Sequence, residues 1–279
     1  MFKKALITIL AIITTHTSIG QVALTLETNR KNYHQYEAAH IQLTLRNFSG
    51  TPLIFGNAAG LSGSVTLEIK QPGNTTSNQS EYIEVNLENL ILRPGIAEKT
   101  QINLSKYFTL RRIGKYRIKA IVKHEQLGSE YESNLVHINA SEGFFVWSST
   151  AGIPDVLNEN TDNKIKSVNY KIDSLFDGKD RVYYLIIEDK QRIYTVARIG
   201  QDTGTSAPQC QIDYLSRLHV MIQDSAKIFT HYIYETSGER VSRVIYKKTT
   251  TSPRLTTDPN TGKIVVIGGS IAKEGADYQ

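Results

Sequence analysis

The chain has 279 residues, 40% of them apolar and 21% charged, with 7 Pro and 1 Cys. That apolar share is enough for packed cores, which excludes a disordered or collagen-like chain. A lone cysteine excludes an intramolecular disulfide and any multi-cysteine zinc site.

Residues 1–20 read as a signal peptide. Lys3 and Lys4 form a charged start, Ala5 to Ile13 an apolar run, and Ser18 and Gly20 put small side chains where a signal peptidase cuts, so cleavage is expected after Gly20. The apolar run is too short for a helix crossing ~30 Å of hydrocarbon. No cysteine follows the cleavage point to carry a lipid anchor, and no other stretch is apolar enough to span a bilayer. The expectation is an exported protein, periplasmic or extracellular, with no membrane span after cleavage. Loss of the two lysines takes the basic side chains from 32 to 30 against 27 acidic ones, a net charge falling from +5 to +3. That is not a nucleic-acid-binding composition. In an oxidising compartment Cys210 is expected to be buried, and no neighbouring base marks it as a nucleophile.

Residues 21–140 alternate with a period of two. Ile41, Leu43 and Leu45 set the pattern, and Val65, Leu67 and Ile69 repeat it. Ile83, Val85 and Leu87, then Ile102 and Leu104, then Tyr116, Ile118, Ala120 and Val122 continue it. Each run predicts a strand with one buried and one wet face. Turn signals separate them at Ser49-Gly50-Thr51-Pro52, Gln71-Pro72-Gly73-Asn74 and Arg93-Pro94-Gly95. Short strands at this spacing predict an antiparallel β-sandwich. Tyr116 stands near a strand start, either as an ordinary core aromatic or as a corner tyrosine whose hydroxyl bonds back to the upstream backbone. Lys106, Arg111, Arg112, Lys115, Arg117, Lys119 and Lys123 make a basic stripe. It is read as a solvated sheet face opposed by Glu68 or Glu84, with an acidic polysaccharide or an anionic membrane as the sharper alternatives.

Leu92-Arg93-Pro94-Gly95, Ile102 to Phe108 and Gly114 to Ile118, together with Asn32-Tyr33 and Leu45 to Leu53, resemble bacterial secreted immunoglobulin-like modules. Some modules of this kind precede deuterolysin-type metallopeptidases. The resemblance covers residues 22–140 and implies an immunoglobulin-like β-sandwich. It does not extend to the peptidase, because no His-Glu-x-x-His occurs; His124-Glu125 lacks the second histidine.

Residues 141–163 read as a linker carrying an apolar knot, Phe144 to Trp147. The knot is expected to pack the linker onto a domain, the alternative being a platform for sugar rings. In residues 164–279, Leu185–Thr195 matches Val220–Thr230 at an offset of 35 residues, and Leu255–Val265 is a looser third copy. Each copy is an apolar strand, a turn opened by Asp, and a second strand. This predicts a β-rich domain of repeated hairpins, self-contained in preference to partial propeller blades completed by another copy. Asp189, Asp224 and Asp258 are read as turn residues, with calcium ligation the alternative. Asp173, Asp177 and Asp180 have the wrong spacing for a calcium loop. His219 alternates with Leu218, Val220 and Ile222 and is expected on the wetter face, with His231 in the neighbouring strand.

The expected fold class is therefore all-β: an immunoglobulin-like β-sandwich followed by a β-hairpin-repeat domain. No catalytic, cofactor or metal residue is assigned, and the binding residues are unknown. The expected function is an exported non-catalytic binding or scaffold protein with an unknown protein or glycan partner. The alternatives are a secreted carbohydrate-binding or carbohydrate-active protein with its site in the C-terminal domain, and a proteinase inhibitor acting through a sandwich loop.

Overall fold

The computed structural model describes residues 21–56, 63–73, 80–87, 90–153 and 167–278. The expected export signal and residues 154–163 of the expected linker lie outside them. The described residues are all-β; their one helical element is a single 3-10 turn, and no helix is long and apolar enough to cross a membrane.

The period-two segments form β1 (Val22–Thr28), β2 (Asn32–His34), β3 (His40–Asn47), β4 (Leu53–Ile54), β5 (Ser64–Lys70) and β6 (Glu81–Val85). They continue as β7 (Ile91–Leu92), β8 (Ala97–Asn103), β9 (Gly114–Lys123), β10 (Tyr131–Glu132) and β11 (Val136–Ser141). One sheet runs β1-β3-β8 and the other β2-β11-β9-β5-β6, with β2 parallel to β11. Because side chains alternate across each strand, both sheets turn one apolar row inward. Leu26, Ile41, Leu43 and Leu45 meet Leu67, Ile69, Tyr116 and Ile118 in a single core. Each such buried side chain contributes about 1.5–3 kcal/mol from apolar burial. Ile102 closes β8 as expected, whereas Leu104 starts the 3-10 turn Leu104–Lys106, capped by Asn103 accepting from the Ser105 N–H.

Tyr116 is the corner tyrosine. Its hydroxyl donates to Arg112 O at 2.8 Å and accepts from Arg112 N–H at 2.8 Å. Tyr116→Phe keeps the packing but leaves both backbone groups unpaired. Urea unfolding is expected to show a loss of about 1–3 kcal/mol.

Only Glu142 and Gly143 separate β11 from the next strand. The segment expected to be a linker is structured here: Phe144–Gly152 is β12, paired along its length with β13 (Ser167–Phe176). The apolar knot therefore belongs to a sheet. Gly143 has φ 79, and a Cβ there would sit 3.1 Å from Ser174 O and 3.3 Å from the Asp173 Cβ, so the connection is closed down onto β13.

The chain continues through β14 (Arg181–Glu188), β15 (Ile193–Gln201), β16 (Gln209–Ile212), β17 (Leu218–Gln223) and β18 (Ile228–Tyr234). It ends with β19 (Arg240–Lys247), β20 (Arg254–Thr257), β21 (Ile264–Ile267) and β22 (Ser270–Ile271). Strands β12-β13-β14-β15 make one antiparallel sheet and β16-β17-β18-β19-β22 another. They face each other over Tyr170, Ile172, Leu185 and Ile187 on one side and Val220, Ile222, Tyr232 and Tyr234 on the other.

The three sequence copies are the hairpins β14–β15, β17–β18 and β20–β21. The first copy fills the third and fourth strands of its sheet and the second fills the second and third of the next, so the repeat follows the hairpin and not the sheet. The third copy lies over the outer face of the second sheet, where Leu255, Ile264 and Val266 pack on Met221 and Phe229.

Candidate functional site

Four polar clusters stand out, and the most buried lies where the sandwich meets the first C-terminal sheet. In β2, Tyr33 points into the sandwich core, so His34 must point out of it. Glu37 turns back to accept from the His34 N–H at 2.9 Å and pairs with Arg30 at 2.6 Å. Arg30 lies over the Tyr33 ring and donates to the Tyr184 hydroxyl at 2.9 Å. From β13, Lys171 and Asp173 project from one face, with Tyr184 directly across from Asp173. Asp173 is 0% exposed; its Oδ2 meets His34 Nε2 at 3.1 Å and Lys171 Nζ at 2.8 Å, while its Oδ1 is buried with no hydrogen-bond partner. Backbone contacts complete the junction: Asn32 Nδ2 donates to Phe176 O at 3.1 Å and the Asn32 N–H to Asp177 O at 3.4 Å.

Burial pulls the His34 imidazolium down, but hydrogen bonds to Asp173 and to the Gln35 and Glu142 carbonyls outweigh it and hold the pKa above 6.5. Burial likewise pushes the Tyr184 phenol well above its usual range. His34 and Asp173 are 139 residues apart, which is why sequence reading missed them. The available signal was a carboxylate, Asp173, between the apolar Ile172 and Leu175 of a strand, since a charge buried there requires a partner.

A second cluster joins β17 and β18. Asp213 accepts from the Leu215 and Arg217 N–H groups and takes the Arg217 side chain at 2.7 and 2.8 Å. Its Oδ2 lies 3.4 Å from His219 Nε2, and His219 Nδ1 lies 3.1 Å from His231 Nε2, the two rings stacked. Burial lowers both imidazoles, His231 to about 4 with help from the His219 charge. His219 does occupy the face opposite Val220. That face is not wet, however: the third hairpin covers it, and Gln211, across from His219, reaches Leu255 O.

The third cluster is an exposed aromatic edge. Phe144, Phe145 and Phe176 are 68%, 65% and 51% exposed. Arg181 sits 5.6 Å from the Phe144 ring centroid and pairs across strands with Phe176. Beside them Asp202 accepts from Ser174 Oγ at 2.6 Å, the Tyr183 hydroxyl at 2.8 Å and the Gly204 N–H at 3.0 Å. These bonds outweigh its burial and hold its carboxyl below the usual range. Gly204 and Asp202 close the loop after β15, so the carboxylate is fixed in place.

The fourth is the basic stripe. Lys119 is bound by Glu68 and Glu132, and Lys123 by Glu130; Glu84 makes no ion pair with the stripe. The remaining candidates are structural. Asp189 accepts from the Gln191 and Arg192 N–H groups and Asp258 from the Asn260 N–H, as turn-opening aspartates do. Asp224 instead takes the Thr230 hydroxyl. Asp177 binds the Lys179 and Asp180 N–H groups and Arg198, so the Asp173, Asp177 and Asp180 side chains do not converge. Among the described residues, no group of three or more His, Cys, Asp or Glu side chains is arranged to hold a metal ion.

Cys210 is half-buried, and burial pushes its thiol up to about 12. Folded protein at pH 8 is expected to react with a thiol-specific disulfide reagent at least tenfold more slowly than protein unfolded in urea, as read by absorbance.

No family model and no curated protein matches the chain. Among solved structures, it is similar to Spo0M, a sporulation control protein from Bacillus subtilis, at 10% identity and a TM-score of 0.27. The match covers 65% of this chain and 91% of that one. A score this low does not establish a shared fold. The fold and its junction define the class directly: an all-β protein with sandwich packing in both halves.

Proposed function

We propose that the protein is an exported, non-catalytic binding or scaffold protein in which an immunoglobulin-like sandwich is fastened to a second β-rich unit. The charged front of the sequence supports export. The parallel β2–β11 pair, the sheet orders and the Tyr116 corner support the immunoglobulin-like assignment. The observation that carries the binding role is the aromatic edge. Exposed Phe144 and Phe176 beside Arg181 leave apolar area in water that a partner would cover.

A second reading, carbohydrate binding at this edge, draws on Asp202, which already binds two hydroxyl groups next to flat aromatic rings. The test has two arms. Cell fractionation and amino-terminal sequencing of the native protein are expected to find it outside the cytoplasm, beginning at Gln21; a cytoplasmic protein retaining Met1 removes the export claim. Phe144→Ser/Phe176→Ser is expected to abolish binding to whichever protein or neutral glycan the native chain retains in a purified panel. Unchanged binding by a folded variant removes the aromatic edge from the proposal.

A further inference from the structure

The outer face of the β2-β11-β9-β5-β6 sheet divides the basic stripe into two unlike parts. On β5 and β9, Glu68 and Lys119 are opposite one another, and Glu68 also takes Ser80 Oγ at 2.6 Å and Lys70 at 3.5 Å. That part is neutralised within the protein. One rung along, Lys70, Arg117 and His137 stand side by side on three successive strands, and Lys115 follows on the next outward position of β9. Among the described residues Arg117, Lys115 and His137 make no ion pair. The charges acting on His137 are those of Lys115 and Arg117, which join burial in holding its imidazole below 6.5.

A hollow of about 210 Å³ runs between Lys70, Arg117 and Leu135, with Glu68 and Lys119 at its far side. Tyr82, 64% exposed, projects from β6 beside Glu68. The β2 end of the same sheet is occupied by the C-terminal half, through His34 and Asn32, so the open area is the part crossed by β11, β9, β5 and β6.

We propose that this open face binds an acidic polysaccharide, with Arg117, Lys115 and Lys70 taking its anionic groups and Tyr82 stacking on a sugar ring. Neighbouring strands are about 4.8 Å apart, so Lys70 and Arg117 on one rung, with Lys115 at the next outward position of β9, form a short line of positive sites suited to a linear polyanion. A bilayer surface is recognised by clusters of about 4–8 Lys or Arg, and here the unpaired ones are fewer and border a hollow. An uncovered aromatic at the sheet edge adds what an anionic sugar offers and a headgroup does not. The inference rests on the binding-protein reading but uses a different surface from the aromatic edge.

The test is titration calorimetry of the full mature chain with polygalacturonate, with dextran and vesicles of phosphatidylglycerol and phosphatidylcholine as the other arms. Polygalacturonate is expected to bind, to weaken as salt rises because the charges are exposed, and to show no dextran counterpart. Arg117→Gln and Lys115→Gln are each expected to weaken binding about tenfold and Tyr82→Ala several-fold, with unfolding midpoints unchanged. In NMR titrations the His137 pKa is expected to rise on binding, because the anion offsets the two neighbouring cations. Equal binding by folded Arg117→Gln, an unmoved His137, or tighter binding to vesicles than to polygalacturonate overturns the inference. Phe144→Ser/Phe176→Ser is expected to leave polygalacturonate binding intact. Failure of this site therefore leaves the aromatic-edge proposal standing, and the reverse also holds.

Discussion

His34→Ala is expected to lower folding stability by about 3 kcal/mol at pH 5.5, with Asp173→Ala costing about 3–5 kcal/mol. Removing His34 leaves the fully enclosed Asp173 with Lys171 as its one ion-pair partner and with one oxygen already unpartnered, and removing Asp173 leaves His34 buried without its carboxylate. The double variant is expected to cost clearly less than the sum of the single ones, because neither charge then remains stranded. The His34 contribution also has a defined pH dependence. Its folded pKa is raised above 6.5, so the stabilisation is fully present below pH 6.5 and is lost as pH rises through the folded value. Urea unfolding at pH 5.5 and 8.5 should therefore show a larger His34→Ala effect at the lower pH. An effect equal at both would mean that packing alone, and not the ion pair, fastens the two halves.

His231 works in the opposite direction. Its folded pKa lies at about 4, below the usual 6.5, so the unfolded chain takes up the proton first. Stability is present above pH 6.5 and is lost as pH falls towards 4, by about 3 kcal/mol for this one group. His219, also lowered by burial, adds to the loss. His231→Gln is expected to flatten the stability profile between pH 6.5 and 4 without altering it above pH 7 by more than the hydrogen bond to His219. If the acid limb is unchanged in this variant, the stacked histidines are not what sensitises the fold to acid. The native profile should be the sum of the two trends, with the junction tightening in the range where the second sheet loosens.

Elements governed by nearest neighbours were legible in the sequence. The alternations around Ile41–Leu45 and Tyr116–Val122 became core-facing strands, and the matched segments became hairpins, because side-chain alternation and turn chemistry act over a few residues. The burial of His219 was not legible, since it depends on a hairpin that returns from beyond residue 250 to cover its face. The strand at Phe144–Gly152 was obscured by flanking glycines and by the bulge between Phe145 and Trp147, which breaks the alternation. The His34–Asp173 junction was out of reach for a similar reason. Each residue looks ordinary in its own strand and becomes a pair only when two sheets from different halves are brought together. The stripe was visible as composition, but which of its charges were already neutralised was set by the cross-strand register.

The two-residue passage from β11 to β12 gives the molecule a particular mechanical character. β11 lies between β2 and β9, hydrogen-bonded on both sides, and the chain leaves it almost directly into β12. A pull on the C-terminal half therefore reaches the sandwich through a strand held by ladders on both sides, backed by the His34–Asp173 and Asn32 contacts. In a protein tethered between two surfaces, the strand that links the halves would be among the last to yield, and extension would begin in the peripheral hairpins.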